Sequence, residues 1–249
     1  MFLVSFASAC AGIMLACAGN TIDCHICESC QSWVRVGIGG MYANYQTQND
    51  IGNYGGYLNL EVKGVTPNAR FQFVGISRTG LAKSNASNKS LTLMGRDFDK
   101  NTSVFVELRP KVGVNLLTPH RPLYLNIAYT FDGTRSHMDL DDGIRTYIHQ
   151  VGLDLDGIVR QSEKFRIEYG VGYDYVVGGS YDNSYTTLKL NGGYALRGSL
   201  GFAYDITQNV HCYMKANLKY QSLNDVANNI AYYPQSRSYT AGLELGFGF

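Results

Sequence analysis

The feature that most constrains this chain is an alternation of side-chain character with period two, repeated along segments from Trp33 to Phe249. In 104–117, Val104, Val106, Leu108, Pro110, Val112, Val114 and Leu116 share one side, opposite Phe105, Glu107, Arg109, Lys111, Gly113, Asn115 and Leu117. In 165–177, Phe165, Ile167, Tyr169, Val171, Tyr173, Tyr175 and Val177 stand against Arg166, Glu168, Gly170, Gly172, Asp174 and Val176. A strand turns successive side chains to opposite faces, whereas a helix repeats every 3.6 residues, so this is strand periodicity with one apolar face. Ten such segments can be drawn: 33–45, 54–63, 69–79, 102–117, 122–131, 144–159, 165–178, 185–205, 210–221 and 237–249. Most reach the ~9–11 residues that a tilted strand needs to cross a bilayer. They exceed the ~5–6-residue mode of soluble strands.

The connections alternate as well. Short ones at 64–68, 118–121, 160–164 and 206–209 alternate with longer ones at 46–53, 80–101, 132–143 and 222–236, while 179–184 is of modest length. Short turns at one end and longer loops at the other mark a transmembrane barrel. Inside hydrocarbon every backbone N–H and C=O must be paired, so a sheet spans only if it closes. The expected fold is therefore an all-β, antiparallel, up-and-down transmembrane barrel of about ten strands. Eight would follow if 54–63 and 69–79 merged into loops. A soluble sandwich would have shorter strands and would carry its charge outside.

Parity assigns the charges to the lumen. Arg35, Arg109, Lys111, Arg166, Lys189, Arg197, Lys215 and Lys219 are expected to point inward, with Glu61, Glu107, Asp154, Asp156, Glu168, Asp174 and Glu244. A lipid-facing Lys or Arg at the bilayer midplane costs ~2–4 kcal/mol, which explains the segregation. Tyr42, Tyr129, Tyr175 and Tyr220 fall near strand ends, where an aromatic girdle would sit. Pro110 interrupts the most regular segment and cannot donate to the ladder, so a bulge or kink is expected there.

The remaining composition agrees. Charged residues are 16% of the 249, against ~25% in soluble domains. The net charge of +1 argues against nucleic acid as a partner. A mean hydropathy of −0.14 excludes a bundle of apolar transmembrane helices. Residues 1–18 read as a signal peptide: an apolar run from Phe2 to Ala16, then Ala16-Cys17-Ala18 as a small-x-small cleavage site, although no Lys or Arg precedes the run. Lipidation at Cys17 is the alternative. Residues 19–32 form a cysteine-rich periplasmic linker before the barrel of 33–249. Its Cys24, Cys27 and Cys30, with His25, crowd into seven residues. They suit a local disulfide better than a metal site, so no metal or cofactor is expected.

On these residues the chain resembles small Gram-negative outer-membrane β-barrel proteins of the opacity and outer-membrane-protein-A type. The resemblance covers 33–249 and includes the last strand, where Tyr239, Leu243, Leu245, Phe247 and Phe249 alternate with polar residues and glycine. It implies location in the cell outer membrane, contact with lipid and lipopolysaccharide, and recognition of that strand by the barrel-assembly machinery. It further implies a structural or surface-interaction role, with a host or surface ligand meeting the outer loops. A narrow porin-like channel is the second possibility, because inward glycines such as Gly37, Gly39, Gly113, Gly170, Gly172 and Gly193 would thin the lining. An outer-membrane hydrolase comes third. Its candidates are His137, Asp139, Asp141 and Asp142 in the 132–143 loop with His149, but polar residues crowded into a loop are ordinary turn chemistry. The expectation is that the chain is not an enzyme.

Overall fold

A computed structural model describes residues 32–46, 50–84, 90–93, 96–99, 102–136, 144–182, 186–227 and 232–249. The signal-peptide reading of 1–18, nearly all of the 19–32 linker, and His137, Asp139, Asp141 and Asp142 lie outside the described residues. The regular structure within them is all strand.

The wall is built from β1 (Trp33–Gln46), β2 (Asp50–Val65), β3 (Phe71–Ser84), β4 (Thr102–Asn115) and β5 (Leu123–Ser136). It continues through β6 (Ile144–Arg160), β7 (Phe165–Asp182), β8 (Gly193–Asp205), β9 (His211–Leu223) and β10 (Ser236–Gly248). Each strand pairs antiparallel with the next. β10 then returns to β1, from Arg35↔Gly248 to Gln46↔Arg237, and the sheet closes. Ten strands, not eight, form the barrel.

Nine of the ten alternating segments each become a wall strand, and the tenth, 185–205, contributes one from Gly193 on, but several run further at the long-loop end. β2 starts at Asp50 rather than 54, β3 ends at Ser84 rather than 79, and β5 ends at Ser136 rather than 131. Alternation is imposed only where one face must be apolar, whereas backbone pairing continues beyond that band. The segment 185–205 is not one strand. Thr187–Leu190 folds back onto the outer end of β7, pairing from Thr187↔Asp182 to Leu190↔Gly179. Gly192 and Gly193 follow at φ +81° and +125°, where a side chain would be strained, and turn the chain into β8. Two further hairpins decorate this end: Ser90–Leu93 with Arg96–Asp99, and Val226–Ala227 with Tyr232–Tyr233.

Pro110 produces no bulge. The β4–β5 ladder passes from Leu108↔Phe131 to Lys111↔Ala128 in one unbroken register, omitting only the rungs at Arg109 and Pro110. On the other side Pro110 still sits opposite Gly75 of β3. The bulge lies elsewhere, between β6 and β7, where His149 faces Gly178, Gln150 faces Val176, and Val177 is the extra residue.

The barrel is inverted relative to a soluble domain. Ile38, Ile127 and Leu218 on its outer surface are more than 60% exposed, while Arg35, Asp174 and Glu244 inside are fully buried. Tyrosines ring the outside toward the long loops. Tyr54 pairs with Tyr42 across β2–β1, and Tyr239 with Tyr220 across β10–β9, their rings 4.9 Å apart. Tyr194 lies 5.9 Å from Tyr220, and Tyr173 6.1 Å from Tyr194. Such rings, apolar in body and polar at the tip, suit a membrane–water boundary.

Candidate functional site

The inward side chains meet in two tiers of ion pairs. Nearer the short turns, Arg35 of β1 donates from Nη1 and Nη2 to the two oxygens of Glu168 on β7, at 2.6 and 2.5 Å. Its Nε donates to Nε2 of His211 at 2.8 Å, and Glu61 stands 3.7 Å away. Arg166 holds Glu168 at 3.1 Å and Asp205 at 2.5 Å, while Lys215 holds Glu61 at 2.9 Å.

The second tier crosses the bore. Lys111 reaches Asp156 at 2.5 Å and Asp154 at 3.3 Å; Arg109 links Asp154 at 2.6 Å to Asp174 at 2.7 Å. Arg109 also donates to the Thr130 hydroxyl. Arg197 of β8 takes Asp174 at 2.7 Å and Glu107 of β4 at 2.8 Å. Arg78 joins Glu107 at 2.9 Å to Glu244 at 3.3 Å, and Lys219 meets Asp132 at 2.5 Å. Glu244 also accepts from Asn59 at 3.0 Å and Tyr57 at 3.3 Å. A buried charge is tolerated only when paired and hydrogen-bonded, and these are. Because β4 and β8, or β1 and β7, face each other across the barrel, the pairs act as struts.

All the charges expected inside are in these tiers except Lys189, which is exposed on Thr187–Leu190. Inward parity for Lys189 requires 185–205 to be a single strand, and the turn at Gly192–Gly193 breaks it. Lys63, Arg78, Asp132, Asp205 and His211 also face the lumen, although the alternation reading did not single them out. Arg78 shares parity with Ile76, and Lys63 with Glu61, so both were legible; Asp132 lay past the drawn end of its segment.

The space beside several inward glycines is taken by neighbouring side chains. Tyr213 occupies the space a Cβ at Gly37 would need, Tyr57 that at Gly39, Asn126 that at Gly113, and Asp154 that at Gly172. A cavity of about 610 Å³ nevertheless remains along the bore, reaching from Trp33 and Lys63 to Leu223 and Tyr233. At the long-loop end its surroundings turn apolar. Ile148, Val176, Leu190 and Leu223 pack with Tyr181, Val226 and Tyr233, so the hairpin strands lean into the mouth.

His149 is not part of the lumen. It points outward on β6, with Nδ1 2.6 Å from the Tyr129 hydroxyl and its ring 5.3 Å from Phe131, as an interfacial residue. Among the described residues no cluster of three His, Cys, Asp or Glu could hold a metal. Tyr239, Leu243, Leu245, Phe247 and Phe249 all point outward and are about half exposed. The backbone of Phe249 exchanges two 2.9 Å hydrogen bonds with Val34, at the seam that closes the barrel.

This architecture, a closed sheet with an apolar band outside and charge within, is that of bacterial outer-membrane β-barrel proteins. Among solved structures the chain is similar to the outer membrane protease OmpT from Escherichia coli, with TM-score 0.53 and 10% identity over 89% of this chain and 97% of that one. Weaker likenesses include the attachment invasion locus protein Ail of Yersinia pestis, with TM-score 0.36 and 11% identity over 88% and 99% of the two chains. Another is OprG of Pseudomonas aeruginosa, with TM-score 0.34 and 13% identity over 87% and 93%. At these identities the likeness is one of fold. Neither a protein-family model nor a curated protein sequence matches the chain.

Proposed function

We propose that this protein is a non-conducting outer-membrane barrel that works through its outer loops in a structural or surface-interaction role, without catalysis. The observation that carries this reading is the strut network. Arg197 to Glu107 and Arg35 to Glu168 tie opposite walls together across the bore. These pairs narrow the bore and resist displacement, since removing one partner of a buried pair costs ~3–5 kcal/mol. The side chains that fill the space beside Gly37, Gly39, Gly113 and Gly172 narrow it further. The hairpins at the long-loop end supply surface for a ligand outside the cell. Lipid and lipopolysaccharide would meet the apolar band and tyrosine belt, and β10, with Phe249 at its end, would be the strand read by the assembly machinery.

A narrow channel is the second reading, favoured by the 610 Å³ cavity. Single-channel recording separates the two. The refolded chain, shown to be folded by its heat-shifted gel mobility, is expected to leave a planar bilayer silent. Reproducible conductance steps would overturn the closed-lumen reading and make Arg197 and Arg109 the first residues to test for selectivity.

A further inference from the structure

Most cations in the lumen have a carboxylate partner. Lys63 is the exception: it is 7% exposed and lines the cavity, yet among the described residues it has no ion pair and no hydrogen bond. The carboxylates around it are already engaged. Glu168 is held by Arg35 and Arg166, Glu61 by Lys215, and Asp156 by Lys111. The Lys63 ammonium is within electrostatic reach of these carboxylates but forms no ion pair with them, and it lies against aromatic faces, 4.5 Å from the Trp33 ring centre and 5.4 Å from that of Tyr124.

Two more donors are idle in the same place. The indole Nε1 of Trp33 and Nη2 of Arg166 are both buried without an acceptor. Trp33 is the cross-strand neighbour of Lys63, and the Arg166 guanidinium lies 5.2 Å from the Trp33 ring centre. A buried donor left unmade costs ~1–3 kcal/mol, more when charged. Open donors of Lys63, Arg166 and Trp33 thus gather around one indole, although Arg166 is already paired with Glu168 and Asp205 through its other nitrogens.

We propose that Lys63, Trp33 and Arg166 form a binding site, at the short-turn end of the lumen, for a small tetrahedral oxyanion of the phosphate class. Such an anion offers several acceptor oxygens and gains most from charge-assisted donors. The site is enclosed by the wall, which excludes a lipid headgroup in the bilayer and leaves a free solute reaching Lys63 and Trp33 through the bore cavity that they line.

Trp33 is the single tryptophan of the chain, so its fluorescence reports on the site directly. The full chain, refolded in a zwitterionic detergent, is titrated with inorganic phosphate and, at matched ionic strength, with chloride. Phosphate is expected to change Trp33 emission saturably and chloride is not. Lys63→Met should weaken the phosphate response about tenfold or more, and Lys63→Arg should retain most of it. A second measurement needs no variant: phosphate should slow acetylation of Lys63, followed by mass spectrometry, while leaving the exposed Lys189 unaffected. The same response to chloride as to phosphate, no saturable response, or equal affinity in a folded Lys63→Met protein would overturn the proposal.

Discussion

At the residue scale, the interior is governed by how completely each charge is matched. Asp174 is fully buried and accepts from both Arg109 and Arg197. Asp174→Asn keeps the shape but leaves two guanidinium groups competing for fewer charged acceptors. It is expected to cost ~3–5 kcal/mol, read as a lower urea midpoint at unchanged slope. The Arg160–Asp205 pair provides the contrast, with the Arg160 side chain 31% exposed at 3.3 Å from its partner. Arg160→Gln should cost less than ~1 kcal/mol in the same assay, as solvent already screens that pair. Equal losses from the two substitutions would contradict this account of the network. Arg78 and Lys63 follow the same logic, sharing parity with inward neighbours, whereas the turn at Gly192–Gly193 sets Lys189 outside the strand whose parity points inward.

At the scale of the strand, two features stand out. Pro110 interrupts the β4–β5 ladder without shifting its register, and the rungs toward β3 are intact. The side of Pro110 lacking a donor therefore faces β5. Pro110→Val supplies the missing N–H and should raise stability by ~0.5–1.5 kcal/mol, measured by the same unfolding midpoint. A loss would show that proline is needed there for local geometry. The second feature is β10, whose outward row ends at Phe249 and closes on β1. Phe249→Ala should reduce the amount of folded barrel recovered from outer membranes of expressing cells, with little change in the yield of refolding into detergent. Equal loss in both settings would assign Phe249 to barrel closure rather than to recognition during assembly.

At the scale of the whole molecule, stability comes from closure and from an interior held by charge. The ion pairs are enclosed by the wall, and salt screens buried pairs far less than exposed ones. The unfolding midpoint of the refolded barrel should therefore change little between ~0.1 and ~1 M salt, where the Debye length falls from ~10 to ~3 Å. Marked destabilisation by salt would mean that the struts are hydrated and the bore open, in step with conductance in the bilayer experiment. The likeness to OmpT at 10% identity extends to the fold; the lumen of this chain is described by its own residues.

The sequence by itself pointed to a closed antiparallel barrel of about ten strands and to the inward and outward faces of most of them; that the count is ten rather than eight was decided by the closed sheet. Period-two alternation is a local consequence of one face meeting lipid, and each strand carries it independently. Parity also placed most of the lumen charges, because it needs no knowledge of partners, but it put Lys189 inside where the structure exposes it. Which charges pair was decided only by the tertiary structure. Glu107 and Arg197 are ninety residues apart, and nothing local relates strands that meet across a bore. The same holds for the glycine positions filled by Tyr57 and Asn126, and for the fold-back of Thr187–Leu190. Lys63 shows this most clearly: its parity places it inside, but only the assembled lumen leaves it without a carboxylate, beside the one tryptophan.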